Sequence, residues 1–461
     1  MRVLDLGVGK YISSHSLTTE LTSILRREVS PRARTRAQHH LLDWLGCAFH
    51  GLRYPQGRAL GPHTRDQPEG KCSALGAKAR FLDAAAFHNG CLGNIAEMDD
   101  VHRTSQLQPG AVVVPAALAM AEHLGASGNA LLDAIVRGME AVLRIGSGLG
   151  RRHHAFFHAS STIGAFGAAA AAASLLDLSE DQTVWALGNA GTRTGGLQQM
   201  RQEACMSKAL HNGLAAQTGV LAAQLARRNF SGPRAILEGP QGLFPATASD
   251  GSPAEISFDP QGEWRIFDLS FKPWAAGRMV HPAIDAALKL KATLRPGLEI
   301  EEVGVLTYAD AVRACDRTEP KTESEAKFSL QHAVATALVR GKPTVEDFMP
   351  PFTHARVNAL RARVALAADE AFSKAHPQHH GAKVGVRLSD GSELAEQVDD
   401  AFGDPAWPLN TAEVETKAFQ LMSKVGLNKE QIDLIFANVR ALPEARQLGN
   451  LSKSLQAANA G

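Results

Sequence analysis

Apolar residues recur at spacings of three and four along most of the first 245 residues, which is the period of an amphipathic α-helix. The clearest segments end at glycine or Ser-Gly stops and cover residues 31–51, 79–98, 112–125 and 128–150. Segments 164–178 and 213–228 are so rich in alanine and glycine that small residues occupy every face. Helices of this composition can approach one another closely, so we predict the buried layer of a large helical bundle.

The pattern changes after residue 245. A connector rich in Pro, Gly, Ser and Asp is followed by strand-like segments at 302–309, 361–369 and 382–397. Asp390-Gly391 predicts a hairpin with a type I′ turn. Helical segments are interleaved at 281–294 and 323–341, and helix returns at 411–426 and 430–442. We therefore predict a mainly α fold with an α+β insertion: a helical-bundle domain of residues 1–267 and 398–461, and an α+β domain of residues 268–397.

Composition narrows the range of partners. The 461 residues favour two domains, or one large domain with an insertion, and 48 Lys+Arg against 47 Asp+Glu give a formal charge of only +1. Such a balance provides no field to attract nucleic acid or an anionic membrane. The N-terminus lacks a secretory apolar region, and no apolar run reaches the ~20 residues that span a bilayer. Five cysteines without a CxxC motif fit reduced, packed thiols, so we expect a soluble cytoplasmic protein.

Polar residues cluster at the edges of the apolar segments, within 97–103, 151–164, 201–213 and 271–281. In the second cluster His158 precedes three hydroxyl residues at 160–162, which we expect to cap the alanine-rich helix and leave an anion-binding N-terminus. In the third cluster Lys208 and His211 are three residues apart and share a helix face. That face is expected to be basic and half-buried.

Simpler interpretations apply to some of these residues. An aspartate before an apolar run is more often a helix cap than a catalyst, so we expect Asp99 to be a cap. His154 and His158 have the spacing of a metal pair, but no third ligand is evident nearby. Gly146–Gly150 resembles a dinucleotide motif but ends a helix instead of following a strand. We predict that the protein needs no metal and no organic cofactor.

Five blocks resemble, in order, the MmgE/PrpD family: 97–122, 157–176, 206–226, 271–288 and 325–338. That family includes 2-methylcitrate dehydratase, cis-aconitate decarboxylase and iminodisuccinate epimerase. The resemblance extends over roughly residues 20–440 of the chain. It implies a large helical domain built from both chain ends and an α+β lid domain, which here is residues 268–397.

The resemblance also implies a cleft for small di- or tricarboxylates. Carried over by position, the expected catalytic residues are Asp100, His102, His158, Lys208 and Lys272. The expected substrate-binding residues are Glu97, Arg103, Gln108, His281 and His332. This mixture suits the chemistry, because cations hold substrate carboxylates while a base removes a proton beside one of them.

Three positions depart from the family pattern. The usual His-Pro of the first block is Gln108-Pro109 in this chain. The decarboxylase branch has a histidine five residues after the lid lysine and a tyrosine in the last block, where this chain has Gly277 and His332. These changes argue against a cis-aconitate decarboxylase.

Several activities remain open. We favour a dehydratase-type lyase acting on a substrate like 2-methylcitrate or citrate, with His158 and Lys208 as the acid–base pair. An epimerase acting on a substrate such as iminodisuccinate would need two opposed bases, for which Lys272 or His332 facing His158 would be suitable. A decarboxylase and a degenerate binding protein are further alternatives. The near-zero charge and the glycine- and alanine-rich bundle favour a homodimer.

Overall fold

The computed structural model describes residues 16–203 and 205–458. The protein is mostly helical with a small sheet. The described residues form two compact units: unit 1 contains residues 16–95, 99–268 and 411–458, and unit 2 contains residues 96–98 and 269–410. None of the described helices is long and apolar enough to cross a membrane.

Unit 1 contains the alanine-rich helices. Its first part comprises α1 Leu17–Leu25, α2 Pro31–Gly51, α3 Pro55–Arg65, β1 Glu69–Cys72, α4 Leu82–Leu92, β2 Val101–His102, α5 Gly110–Leu124, α6 Gly128–Ser147, α7 Arg151–Phe156, α8 Ala159–Thr162, α9 Gly164–Leu175, α10 Glu180–Gly191, α11 Ser207–Arg227 and α12 Leu243–Thr247. Helix α9 packs against α5, α6, α10 and α11, and its alanines from 168 to 173 are buried. The close approach of α4 and α11 depends on glycine, since a Cβ on Gly90 would lie 3.0 Å from the Cα of Gly213. The prediction of a buried small-residue layer is confirmed.

Unit 2 contains the sheet. Its elements are β3 Leu269–Ser270, α13 His281–Thr293, β4 Ile300–Thr307, α14 Ala309–Cys315, α15 Glu323–Lys327, α16 Leu330–Arg340, α17 Ala355–Arg361, β5 Val364–Ala368, α18 Glu370–Ala375, β6 Ala382–Leu388 and β7 Glu393–Val398. The chain then returns to unit 1 with α19 Thr411–Ser423, α20 Lys429–Arg440 and α21 Gly449–Ala457. The helix predicted over 323–341 is interrupted at Phe328, and Ser329 caps α16 by accepting a hydrogen bond from the His332 N–H.

The four-stranded sheet has the order β5-β4-β6-β7, with β4 and β5 parallel and the other pairs antiparallel. Alternate residues of β6 are buried, and α13 packs on β6 and β7. The predicted hairpin is present, but the predicted type I′ turn is wrong. Gly391 has a φ of +80° and Asp390 does not have a positive φ, while the Leu388 N–H donates to the Ser392 carbonyl. The loop therefore has three residues with glycine in the left-handed position.

Residues 398–410 belong to unit 2, whereas the sequence assigned them to the helical domain. Hydrogen bonds explain their position. The Phe271 N–H donates to the Gly403 carbonyl, and the Ser270 hydroxyl donates to the Asp404 carboxylate. Asp404 also forms an ion pair with Arg278. That unit 2 acts as a lid stays a prediction.

Candidate active site

Two histidines meet in unit 1 beside a lysine. His158 is 2% exposed, and its backbone N–H donates to the carbonyl of Gly196 over 2.8 Å. Its Nδ1 lies 3.3 Å from the Nδ1 of His211, which is half-buried on α11. Lys208 lies one turn earlier on α11, as its spacing predicted. Burial, and then the charge of Lys208, lower the pKa of His211. We call His158, His211 and Lys208 the histidine cluster.

The hydroxyls after His158 do not cap α9, so that part of the sequence prediction is wrong. Helix α9 begins after Ile163 without a side-chain cap, because each hydroxyl has a different partner. Ser160 donates to the Gln108 Oε1 over 2.9 Å and accepts from the Gln108 N–H. Ser161 donates to the His211 carbonyl, and Thr162 contacts the ring of His153. These bonds connect the segment that carries His158 to Gln108 and to α11.

Asp100 is buried at the start of α5. One carboxylate oxygen accepts the Gly110 N–H over 2.8 Å, and the other lies 2.6 Å from the His40 Nδ1. In Asp99, by contrast, both carboxylate oxygens accept hydrogen bonds from the Asn94 amide. The aspartate at the helix start is therefore Asp100 and not Asp99. A Cβ at position 110 would lie 2.7 Å from this carboxylate, which explains the glycine after Pro109.

His102 is buried and bonded within its own loop, with its Nδ1 2.6 Å from the Ser105 hydroxyl. Burial, followed by the charges of Arg265 and Arg103, lowers the pKa of His102 to about 3. The ring is therefore neutral at physiological pH. Arg103 itself is half-buried. Catalytic roles for Asp100 and His102 stay predictions. The contacts of these two residues suit a structural role, in which they hold the loop that precedes α5.

Unit 2 contains a second charged group, formed by Lys272 and Glu97. The Lys272 Nζ lies 3.7 Å from the Glu97 Oε2, and Lys272 is 1% exposed. Glu97 has a φ of +58°, and the preceding residue, Ala96, accepts a hydrogen bond from the Lys327 ammonium over 2.8 Å. We call Lys272 and Glu97 the lysine–glutamate pair.

The segment that carries Lys272 is held by buried polar residues of unit 2. His281 begins α13 and contacts the Ala276 carbonyl through Nε2 and Arg278 through Nδ1, at 3.1 and 3.2 Å. Asp285 accepts hydrogen bonds from the Trp274 indole N–H at 2.9 Å and from the Phe402 N–H at 2.7 Å. Burial raises the pKa of Asp285 to about 6. His281 therefore lies among groups that support this loop.

His332 lies on α16 next to a cavity of about 180 Å³. Its Nε2 is 2.7 Å from the Asp347 carbonyl, and its ring packs against Phe348 and Phe352. Burial is the main cause of its lowered pKa. Among the described contacts of His332, none joins it to Lys272, Glu97 or His281.

Sequence reasoning did not assign roles to His40, Asn94 and Asp285. His40 lies within an ordinary helical pattern, and its partner is 60 residues away along the chain. His211 was noted only for its shared face with Lys208. A signal was available for His211, since two polar residues on one face of an otherwise small-residue helix indicate a site.

No group of three or more His, Cys, Asp or Glu side chains in residues 16–203 and 205–458 is arranged to hold a metal ion. Lys208 lies in unit 1 and Lys272 in unit 2, and each supplies a positive charge of the kind that binds a carboxylate. The histidine pair provides a group that can exchange a proton. Within unit 1, the histidine pair and Lys208 fit the acid–base chemistry of carboxylate substrates.

Comparison with known proteins supports the resemblance found in the sequence. Residues 16–256 match the MmgE/PrpD N-terminal domain and residues 274–441 match the MmgE/PrpD C-terminal domain. Cis-aconitate decarboxylase-like protein oryM of Aspergillus oryzae is 27% identical over 470 residues, which span 95% of this chain and 96% of that protein. Cis-aconitate decarboxylase of Aspergillus terreus is 26% identical over 397 residues, with 80% and 81% covered, and that of Homo sapiens is 25% identical over 469 residues, with 96% and 94% covered. The chain therefore belongs to the MmgE/PrpD family.

Proposed function

We propose that the protein is a lyase that dehydrates a small polycarboxylate similar to citrate or 2-methylcitrate by removing a proton beside a carboxylate. The observation that carries the proposal is the contact between the Nδ1 atoms of His158 and His211. A hydrogen bond there requires one Nδ1 to donate and the other to accept. While it persists, the two rings together can hold at most one extra proton.

The direction of this hydrogen bond decides which chemistry His158 can perform. Burial and Lys208 make His211 reluctant to take up a proton, so His211 suits the role of acceptor. When His158 donates from Nδ1, its lone pair is on Nε2, and a neutral His158 is then a base. Removing a proton from carbon requires a base in this state.

The histidine cluster can supply both proton transfers that the elimination needs. His158 takes the proton from carbon, the C–H electrons form the new C=C bond, and the C–OH bond breaks. The imidazolium returns its proton to the departing hydroxide, which leaves as water. Lys208 supplies positive charge for the enediolate that develops on the neighbouring carboxylate. This chemistry needs no metal and no organic cofactor.

We assign the lysine–glutamate pair to substrate binding. The family resemblance implied this role for Glu97 and a catalytic role for Lys272, and the ion pair between the two side chains supports binding for both. A substrate carboxylate would replace Glu97 as the partner of the Lys272 ammonium, and the compact charge of lysine suits this exchange. Removing Lys272 is then expected to raise KM more than it lowers kcat.

Decarboxylation is the second candidate, because the curated relatives described above are named cis-aconitate decarboxylases. Loss of CO₂ leaves a carbanion that must receive a proton, so the enzyme has to begin with a donor. If His211 donated to His158, the Nε2 of His158 would carry a hydrogen and could act in this way. Gln108, Gly277 and His332 distinguish this chain from the decarboxylase pattern.

The test is an assay in deuterated water followed by ¹H and ¹³C NMR. Citrate, 2-methylcitrate, cis-aconitate and iminodisuccinate are each incubated with the enzyme and with its His158→Gln variant as control. Dehydration gives alkene signals without bicarbonate, whereas decarboxylation gives bicarbonate and a shortened product. Deuterium incorporation without either product indicates an epimerase. Bicarbonate as the first product would reject the dehydratase proposal.

A homodimer remains a prediction for this enzyme. Light scattering at micromolar concentration should give a mass near 98 kDa, twice the 49.1 kDa of one chain. A monomer mass would contradict it.

A further inference from the structure

A second polar feature of unit 1 lies away from the histidine cluster. It is a cavity of about 240 Å³ next to the ends of α1 and α9, where Ala170 and Ala173 leave space. The polar residues that line it are Thr22, Arg26, Arg137, Ser174, Asp177 and Thr183. None of them belongs to the histidine cluster or to the lysine–glutamate pair.

The two arginines of this cavity are held in place by hydrogen bonds that use only part of their donor capacity. Arg26 donates from Nη1 to the Leu178 carbonyl over 3.1 Å. Arg137 donates from Nη1 to the Ser174 hydroxyl over 2.6 Å and from Nη2 to the Arg27 carbonyl over 3.5 Å. The Nε of Arg137 is buried and has no hydrogen-bond partner among the described residues. Since a guanidinium has five N–H donors, both arginines keep donors for a ligand.

The charge at this cavity is not balanced. In the described part of the chain, neither Arg26 nor Arg137 has a carboxylate oxygen within 4.0 Å. The nearby Asp133 is engaged by Arg34, with an N–O distance of 2.6 Å. Burial lowers the pKa of Arg137; the charges of Asp133 and Asp177 oppose this shift, and the charges of Arg26 and Arg34 add to it. Asp177 is the one carboxylate of the lining, so two guanidiniums outnumber it.

We propose that this cavity binds a small oxyanion, either phosphate or a carboxylate, between Arg26 and Arg137. Guanidinium groups bind both kinds of anion through paired N–H donors. The cavity is smaller than the ~300–1,000 Å³ typical of pockets for larger ligands, which favours a small anion. An anion bound between the two guanidinium groups would offset the repulsion between their positive charges.

This site is separate from the proposed catalytic residues. Helix α9 begins at Gly164, six positions after His158, and its twelve residues end next to the cavity at Leu175. Ser174, the partner of Arg137, lies ten positions after Gly164, which is roughly 15 Å along the helix at about 1.5 Å per residue. An anion at the cavity would therefore bind without contacting the substrate.

The proposal is tested by isothermal titration of the full-length protein with inorganic phosphate and, separately, with malonate. The parent is compared with Arg137→Gln, with Arg26→Gln and with Arg228→Gln, an exposed arginine on the same unit that serves as the matched control. We expect either cavity variant to weaken binding of one anion at least tenfold, while Arg228→Gln leaves the affinity unchanged. Loss of phosphate binding identifies a phosphate site, and loss of malonate binding identifies a carboxylate site.

Two results would overturn the proposal. One is that both cavity variants bind phosphate as tightly as the parent does, and also bind malonate as tightly as the parent does. The cavity would then be a packing gap. The other is an equal loss in Arg228→Gln, which would show a general effect of charge. Because a variant could fail to fold, crystals of the parent are also soaked in arsenate. Anomalous density between Arg26 and Arg137 is expected, and its absence at saturating arsenate would reject a phosphate site, leaving the malonate titration to decide the carboxylate site.

Discussion

His158 and His211 meet through their Nδ1 atoms at 3.3 Å although 53 residues separate them in the chain. Gly196 makes this meeting possible. Its carbonyl accepts the backbone N–H of His158, while a Cβ at position 196 would lie 2.6 Å from Ser161 and 3.2 Å from the His211 ring. Its φ of +104° is also one that glycine adopts readily. The two chain segments that carry the histidine cluster thus meet beside a third segment, which carries Gly196.

Replacing His158 with glutamine should abolish most of the turnover. Glutamine keeps much of the volume of the ring but cannot exchange a proton at neutral pH, so kcat should fall by on the order of 10²-fold or more. Substrate binding should weaken far less, because Lys208 and Lys272 remain. Steady-state kinetics on the substrate found by NMR provide the measurement.

His154→Gln is the matched control for this variant, since His154 lies four residues earlier on α7 and outside the histidine cluster. It should retain the parent kcat. If His158→Gln turned over the substrate within about threefold of the parent, His158 would be only a packing or positioning residue.

Replacing His211 with phenylalanine should change the pH dependence of catalysis. Phenylalanine preserves the ring but removes the nitrogen that accepts a hydrogen bond from protonated His158. A hydrogen bond to a charged group contributes about 1.5–3 kcal/mol, so its loss should move the acid limb of kcat/KM down by about one pH unit or more. The His211→Asn variant retains an acceptor in its side-chain amide and should keep the limb near its parent position. Identical profiles for the parent and His211→Phe would contradict the shared hydrogen bond.

Much of the fold could be predicted from the sequence because long periodic segments carry their own signal. The helix predicted at 31–51 is α2, and the alanine-rich segment 164–178 contains α9. The details of the site could not be obtained in the same way. Asp100 and Asp99 are adjacent and chemically identical, and only the distant His40 and Asn94 distinguish their roles. The Asp285–Trp274 bond likewise lies within a segment that reads as ordinary helix and loop.

The buried ring of His102 should make the free energy of unfolding depend on pH. A variant that lacks this ring should measure its share of that dependence. Burial lowers its pKa to about 3, below the value of about 6.5 expected in the unfolded chain. As the pH falls below 6.5, the unfolded parent gains a proton at this position and the native state does not. The parent therefore loses about 1.4 kcal/mol of unfolding free energy per pH unit from this ring, until the native ring titrates near pH 3.

His102→Asn lacks this pH-dependent loss of stability. At pH 7 it should be less stable than the parent, because the packing of the buried ring and its contact with the Ser105 hydroxyl are lost. The stability difference should narrow as the pH is lowered from 7 to 6 to 5 in urea unfolding experiments. A difference that stays constant over this range would show that the native ring is protonated as readily as the unfolded one.

Removal of metal ions should leave activity unchanged. The proposed chemistry uses imidazole for proton transfer and lysine for charge, so no step depends on a metal ion. Extensive dialysis against EDTA, followed by assay in metal-free buffer, should reproduce the parent kcat. Loss of turnover that zinc or iron restores would show that a metal takes part.

A side chain at position 277 should destabilise the protein, because it would clash with the ring of Phe328. A Cβ at this position would lie 2.5 Å from Phe328 Cε1 and 2.8 Å from Cδ1. The backbone cannot simply move away, because the Gly277 N–H donates to the Lys327 carbonyl over 2.9 Å. Overpacking of this kind costs about 1–3 kcal/mol, so Gly277→Ala should lower the free energy of unfolding by that amount.

The double variant identifies the cause. In a Phe328→Ala background the ring is absent, and adding Ala at 277 should then cost less than about 0.5 kcal/mol, which gives a coupling energy of at least 0.5 kcal/mol in the cycle. Urea unfolding of the parent, the two single variants and the double variant measures it. If Gly277→Ala lowered the free energy of unfolding equally in both backgrounds, a clash with Phe328 would not be the cause of the destabilisation. If the coupling is found, the histidine of the decarboxylase branch cannot be introduced at 277 by one substitution, because Phe328 occupies the space that its side chain would need.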